Sequence, residues 1–583
     1  MKSILSIAVP LVVASIAKAA IVEHWWDITY ATANPDGLFE RRVIGVNGTW
    51  PPPQVDVTVN DTLIIHTHNS LDQPTALHAH GMFQNGSVWA DGPSMVTQCP
   101  IPPGHDLTYE FNITQHGSYW IHAHYMGQYL DGLRTPFILH NNPEAYTYDE
   151  EIVIPLADWY HEQSDVNLDA FLSQYNPTGA EPVPQSGLIM NTHDASFDFV
   201  PGKTYRLRLI NMSGFSMFYV SIDGHDLDVI EVDGVDTERE TVKSVYLTAA
   251  QRVSVLVTAK NTTDTNYYLR ADMDTDMFDT LPEDLDYNLA APVYYDRNHN
   301  NFAAADDEGM ESTFDDITLK CLHPAAAVEP DHQVNLTIDF QVTTDGINRG
   351  MFNGLPYFAP KVPSLNTMLS MGNLSYEETV YGPQTQAFVL KHLDMVEIVL
   401  NNLDAGAHPF HLHGHVFQIV GRGPGVYDGN QSLVEQWYLD NPVQRDVVQV
   451  PAESFALIRF RADNPGAWFF HCHIEWHLES GLAAVMVEAP EIAQQRLKMP
   501  QEYNDICEAA GISSTGNAAG KEGLDLKGAP HGITLIYDGF TAKGKGAMAA
   551  CIIAALIGMG SIVWYALADP EKKAREIRAS KAQ

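Results

Sequence analysis

The sequence predicts an all-β protein built from β-sandwich domains and tethered by one C-terminal transmembrane helix. Three observations carry this expectation. Short apolar–polar alternations bounded by Pro, Gly, Asn and Asp fill most of the chain, one phrase recurs three times, and an uncharged apolar run lies near the C-terminus.

At 583 residues the chain is too long for one core, and about 150 residues per domain suggests three or four. A hydrophobic fraction of 45% and an aromatic fraction of 10% are those of a folded protein. Lys plus Arg total 33 against 73 Asp plus Glu, a formal charge of −40 that repels nucleic acid and attracts cations. Plain solubility of a secreted glycoprotein also explains such a surface.

Residues 1–19 read as a secretory signal: Lys2, an apolar run from Ile4 to Ile16, then Ala17-Lys18-Ala19 as a cleavage site. Strand patterns follow, as in VDVTVNDTLIIHTHN (55–69), KTYRLRLIN (203–211), RVSVLVTA (252–259) and FALIRFRA (455–462). The recurring phrase is IPPGHDLTYEFN, FVPGKTYRLRLIN and VPAESFALIRFRADN, a proline turn feeding an alternating strand. After the first copy comes GSYWIHAH and after the third GAWFFHCH, so that Cys472 falls opposite Ala123. Such a repeat implies related sandwich domains, with metal chemistry kept at only some of them.

We place domains at 20–145, 146–300 and 330–500, with the acidic segment 306–316 linking the last two. Residues 501–546, rich in Gly, Ala and Lys, read as a flexible stalk. Ala547 to Ala568 is apolar and uncharged, and as a helix it reaches about 33 Å, enough to cross a bilayer. A buried helix of a soluble domain has the same composition. The terminal position and the basic tail 569–583, with Lys572, Lys573, Arg575, Arg578 and Lys581, favour an anchor with a cytoplasmic C-terminus. Nine N-x-S/T sequons, at Asn47, Asn60, Asn85, Asn112, Asn211, Asn261, Asn335, Asn373 and Asn430, fit an extracellular main body. Five cysteines exclude a disulfide scaffold, and Cys99, Cys321 and Cys507 leave room for at most one bridge among them.

The chemistry lies in four clusters: HAHG (His78, His80), WIHAH (His122, His124), HPFHLHGH (His408, His411, His413) and HCHIEWH (His471, Cys472, His473, His477). On a strand, residues i and i+2 share a face, so each H-x-H pair presents two imidazoles in one direction. Imidazoles with one thiolate suit copper; structural zinc is the alternative, but it takes four ligands and usually more cysteines. At HCH the alternation puts His471 and His473 on one side and Cys472 on the other. One strand can thus hold a thiolate-ligated metal on one face and feed a histidine cluster on the other.

These motifs, in this order, resemble a multicopper oxidase of three cupredoxin-like Greek-key β-sandwich domains. The resemblance implies a type 1 copper on Cys472, His408 and His477, and a type 2 copper on His78 and His411. It gives His80, His122, His124, His413, His471 and His473 to a type 3 pair, making four coppers per chain. It further implies that electrons are taken singly from a reductant and O2 is reduced to water. Asp91 and Glu475 resemble that family's proton-donating carboxylates, with ordinary solvated acids as the alternative. Leu482 stands where many cupredoxins carry an axial methionine, and leucine cannot ligate, which favours a higher potential. The resemblance to laccase-type oxidases pairs Cys99 with Cys507 and leaves Cys321 free.

Substrate choice is made around the type 1 histidines, where electrons enter. A phenol wants an apolar pocket, whereas ferrous iron wants several hard oxygen ligands, which also stabilise the ferric product. Glu181, Asp279 and Asp404 match the iron-binding carboxylates of fungal cell-surface ferroxidases, with Asp274 a secondary candidate. In that branch Glu181 and Asp404 contact His477 and His408. The resemblance thus implies a ferroxidase using Fe(II) and O2, passing Fe(III) to a membrane iron permease at the plasma membrane or vacuolar membrane. A membrane-anchored laccase-like oxidase of phenols or aromatic amines and a non-enzymatic copper-binding surface protein are the competing expectations.

Overall fold

The computed structural model describes residues 19–283, 285–305, 314–530, 532–535 and 542–582. Nearly all of the signal segment 1–19 and most of the acidic linker 306–316 therefore lie outside the described residues.

Among the described residues, six sheets form three successive pairs, of four and four, six and five, and seven and five strands. In the first pair, Ile21–Ala33 and Thr62–Asn69 lie in one sheet while Val55–Thr58, between them in sequence, lies in the other. Chain neighbours thus alternate between sheets, and the apolar side of each strand is buried between the two layers.

The internal repeat is visible in the pairing. Ile21–Ala33 pairs in parallel with Thr62–Asn69, Glu150–Trp159 with Thr204–Asn211, and His332–Val342 with Met395–Asn402. Each second strand then pairs antiparallel with a third: Asp106–Asn112, Arg252–Thr258 and Ser454–Arg461. The first and third copies of the sequence phrase are therefore equivalent strands. The second copy is not, because Thr204–Asn211 takes the preceding place and Arg252–Thr258 is the true counterpart. A proline turn before an alternating strand is too common a local pattern to fix topology.

The expected stalk is also corrected. Gln501–Ala509 is a helix, and the segment beyond it packs on the third sheet pair. Ala518 N donates to Val380 O at 2.7 Å, Lys361 N to Ala518 O at 3.0 Å, and Thr344 N to Thr534 O at 2.9 Å. Buried Asn517 holds two carbonyls of its own loop, and Gly516, at φ +103°, turns the chain back on itself. Composition read as flexible is here a packed strap, and the compact unit runs to Thr534. A second unit, from Leu535, contains the helix Ala542–Leu567 of mean hydropathy 2.2, longer at its N-terminal end than the expected 547–568, and the helix Pro570–Ser580.

Cys99 and Cys507 form a disulfide, and Cys321 is buried and unpaired, with its Sγ 3.4 Å from Pro442 O. Among the sequons, Asn211 is fully buried and its amide donates to Ser216 O and Leu247 O, so the folded protein offers no attachment point there. A secreted chain ending at 534 is expected to retain full stability. Cys507→Ser should cost about 2–5 kcal/mol, since the bridge closes a very long loop in the unfolded chain. Urea unfolding of both proteins checks this, and equal midpoints would refute it.

Candidate metal centre

Two antiparallel ribbons deliver the histidines. In the first, Leu77–His80 pairs with Gly117–Ala123 so that His78 lies opposite His122. In the second, His408–Leu412 pairs with Gly466–Cys472 so that His411 lies opposite His471 and Phe410 opposite Cys472. Residues directly opposite share a face, so register alone gathers the imidazoles and sends Cys472 the other way. The ribbons meet ring to ring: His80 stacks on His411 at 3.8 Å, and His78 lies 4.1 Å from His413. His413 Nε2 is 3.1 Å from His471 Nε2, and His473 lies 5.0 Å from His80.

The tautomers fit a metal. His78 Nδ1 donates to Asp91 O, His122 Nδ1 to Ala123 O, His411 Nδ1 to Asp446 O and His471 Nδ1 to Cys472 O, at 2.6–2.9 Å. With one nitrogen so fixed, the other carries a lone pair. His78 Nε2, His80 Nδ1, His122 Nε2, His124 Nε2, His411 Nε2 and both nitrogens of His473 are buried without any partner. Burial, and then the charges of neighbouring rings, hold His80, His122, His124, His411, His413 and His473 well below the usual imidazole range. Burial takes His471 down to about 3. A knot of neutral, unpartnered imidazoles is costly unless a soft or borderline cation joins them. His78 belongs to triads with His411 and His413 and with His80 and His122, so the rings form one continuous cluster.

On the other face His408, Cys472 and His477 form a separate triad. Sγ lies 3.5 Å from His477 Nδ1 and 4.0 Å from His408 Nδ1. Burial pushes the Cys472 thiol up, so a metal is needed to hold the thiolate. His477 sits not on a strand but on the helical turn Glu475–Ser480, which brings it back beside Cys472. Leu482 is fully buried, and its carbonyl accepts from Cys472 N at 3.1 Å.

The carboxylates divide. Glu181 Oε1 accepts from His477 Nε2 at 2.7 Å and Asp404 Oδ2 from His408 Nε2 at 3.1 Å, each on the outward nitrogen. Both are partly open to solvent, with side-chain exposures of 16% and 32%. Burial alone would raise Asp404, but the His408 hydrogen bond and charge outweigh it and leave the acid below its ordinary value. Asp279 is exposed and, among the described residues, has no hydrogen bond to either histidine. Asp274 instead accepts from Tyr246 OH at 2.7 Å. With Asp276 and Phe278 it lines a cavity of about 360 Å³ that reaches the Ala405–Ala407 loop.

Asp91 is fully buried against the cluster, its Oδ2 2.9 Å from His413 Nδ1, and burial raises it. Glu475 is buried on the turn that carries His477, raised well above its usual value by burial and by Glu479. Burial pushes Glu479 itself up to about 7. Three side chains escaped the sequence reading: Phe340, whose ring stacks on His408 at 5.3 Å, Glu479, and Asp446, which lies between His80 and His411. Nothing local in the sequence marks them.

Comparison with known proteins agrees with this geometry. Profiles described as multicopper oxidase match residues 27–144, 150–296 and 357–491. The iron transport multicopper oxidase fetC of Epichloe festucae is 42% identical, over 96% of this chain and 91% of its own length. The iron multicopper oxidase fer1 of Mycosarcoma maydis is 43% identical over 94% and 93%. Among solved structures, Fet3p, described as a multicopper oxidase that functions in iron import, superposes with a TM-score of 0.86 at 37% identity, over 89% of this chain and all of that one. A laccase from Botrytis aclada gives 0.74 at 31% identity, over 84% and 91%. Eight clustered imidazoles on one face, a thiolate site on the other, and these likenesses along nearly the whole length place the chain in the multicopper oxidase family of copper-binding oxidoreductases.

Proposed function

We propose that the chain is a ferroxidase that oxidises Fe(II) to Fe(III) and reduces O2 to water. The carrying observation is that Glu181 and Asp404 cap the outward nitrogens of both histidines beside Cys472. The relatives named for iron transport support it. Bound copper supplies one-electron redox steps. In this reading Cys472, His408 and His477 hold a type 1 ion, His78 and His411 a type 2 ion, and the remaining six histidines a type 3 pair, four in all. The domains are 20–145, 146–300 and 330–500, the last extended by the strap to 534.

The residues' own work follows from their placement. Glu181 and Asp404 offer hard oxygens that favour Fe(III) over Fe(II), while their hydrogen bonds join the iron to the ligand rings. Cys472 is bonded through the main chain to His471 and His473, a short covalent path from the donor site to the cluster. Asp91 and Glu475, both raised by burial, hold protons that water formation consumes. Leu482 offers only carbon to the thiolate site. Asp279, an exposed carboxylate, is the third acid this reading assigns to iron.

The helix Ala542–Leu567 anchors the chain, the Lys- and Arg-rich tail faces the cytoplasm, and the Fe(III) product passes to a membrane permease. Plasma membrane is preferred over vacuolar membrane. The aromatic-lined cavity beside Ala405–Ala407 favours a second reading, oxidation of aromatic donors. Steady-state kinetics of the secreted 20–534 protein test the choice. Fe(II) is expected to give the higher kcat/KM, and a phenol preferred over Fe(II) would reverse it.

A further inference from the structure

We propose that Arg252 and Asp446 form an ion-paired brace that positions His80 and His411, so that the sheet pair lacking every copper-ligand candidate governs the O2-reducing cluster. The inference rests on reading the histidine cluster as a copper site. All of the copper-ligand candidates lie at 78–124 and 408–477, and none lies within 150–294. Arg252 opens a strand of that middle pair and is fully buried.

The brace is tightly specified. Arg252 Nη1 and Nη2 donate to Asp446 Oδ1 and Oδ2, each at 2.6 Å, a two-pronged contact. Arg252 Nε donates to Ser118 O at 2.9 Å, on the strand that carries His122. Asp233 accepts from Arg252 N at 2.8 Å and from Arg445 Nε at 2.8 Å, fixing the main chain of Arg252 and the side chain next to Asp446. Gly81, at φ +87°, directly follows His80. A Cβ there would sit 2.6 Å from Asp446 Oδ2 and 2.8 Å from Arg252 Nη2, so the chain passes over the ion pair with no room for a side chain.

Asp446 then meets both histidines on their outer nitrogens. His80 Nε2 faces its Oδ1 at 3.3 Å and His411 Nδ1 donates to its main-chain oxygen at 2.8 Å. The two rings stack at 3.8 Å, and their other nitrogens, His80 Nδ1 and His411 Nε2, are the partnerless ones. A carboxylate accepting from the far side of an imidazole fixes tautomer and ring pose and makes the ligand more basic. An unpaired carboxylate buried there would be costly, and Arg252 removes that cost. Asp446 and, through it, Arg252 are thus positioning residues that act on the histidine cluster and not on the donor site.

Asp446→Asn removes the charge at constant shape, and Arg252→Lys keeps the charge but loses the two-pronged fit. In both, copper affinity of the histidine cluster, measured by competition with a chelator, should fall about 10- to 100-fold. Electron paramagnetic resonance should show copper signals that spin coupling within a pair hides in the wild type. Anaerobic bleaching of the blue absorption by Fe(II) should keep its wild-type rate, while turnover with O2 falls. Unchanged chelator competition and unchanged spectra in both variants would overturn the brace. Joint loss of blue colour and cluster copper would also overturn it, showing a general role at the interface. If the wild-type cluster itself takes up no copper, the copper reading fails and the brace with it, an outcome told apart by that control.

Discussion

Replacing Cys472 with serine is expected to remove the blue absorption of the oxidised protein and reduce Fe(II) oxidation to background. The absorption belongs to the thiolate–copper bond, and Cys472 is the thiol within reach of His408 and His477. Its fully buried setting lets no other ligand replace it. Serine keeps the strand and its antiparallel contact with Phe410, so the histidines on the opposite face stay in register. Copper analysis should therefore show the loss of about one ion per chain and no more. Loss of all copper would mean that the two sites assemble only together. Retained colour would place the thiolate elsewhere and undo the assignment. Because the same residue joins the donor site to His471 and His473, turnover should fail even with the cluster fully loaded.

The cluster was legible because a period of two is enforced by the strand itself. Once HAH, HAH, HLH and HCH lie on strands, the rings of each pair must share a face, and pairing of His78 with His122 and of His411 with His471 does the rest. Glu181 was not legible in that way. It meets His477 across 296 positions of sequence, and only the likeness to ferroxidases singled it out. Asp446 had neither aid: its partner Arg252 is 194 residues away, in a segment without copper-ligand candidates. Two readings failed for a common reason. The strap 501–534 was taken for a stalk on composition, and KTYRLRLIN was taken for a third repeat on local pattern. Long-range hydrogen bonds, such as Ala518 to Val380, and sheet order decide such cases, and neither is written in a local window.

Glu181→Ala combined with Asp404→Ala is expected to cut kcat/KM for Fe(II) steeply while sparing organic donors. Each carboxylate accepts from a histidine's outward nitrogen, and in the proposed reading it would also present an oxygen to the metal substrate. Losing one charge-assisted contact costs about 1.5–3 kcal/mol, roughly ten- to hundredfold, so each single change should fall in that range. The double change should be larger, though not the product of the two, because in this reading both groups would serve one ion. Oxidation of a bulky aromatic donor should persist or improve, since the edges of His408 and His477 become more open. Neither residue lines the aromatic cavity beside Ala405–Ala407, although Asp404 Oδ2 accepts from Gly406 N at 2.9 Å in its wall. Asp279→Ala, at an exposed site without a hydrogen bond to either ring, should cost less than about tenfold. The blue absorption must survive in every variant, which separates loss of the iron site from damage to the thiolate site. Equal losses for Fe(II) and the aromatic donor, with colour intact, would show that the acids act only through the general negative field. In that case the ferroxidase reading would lose the one observation that carries it.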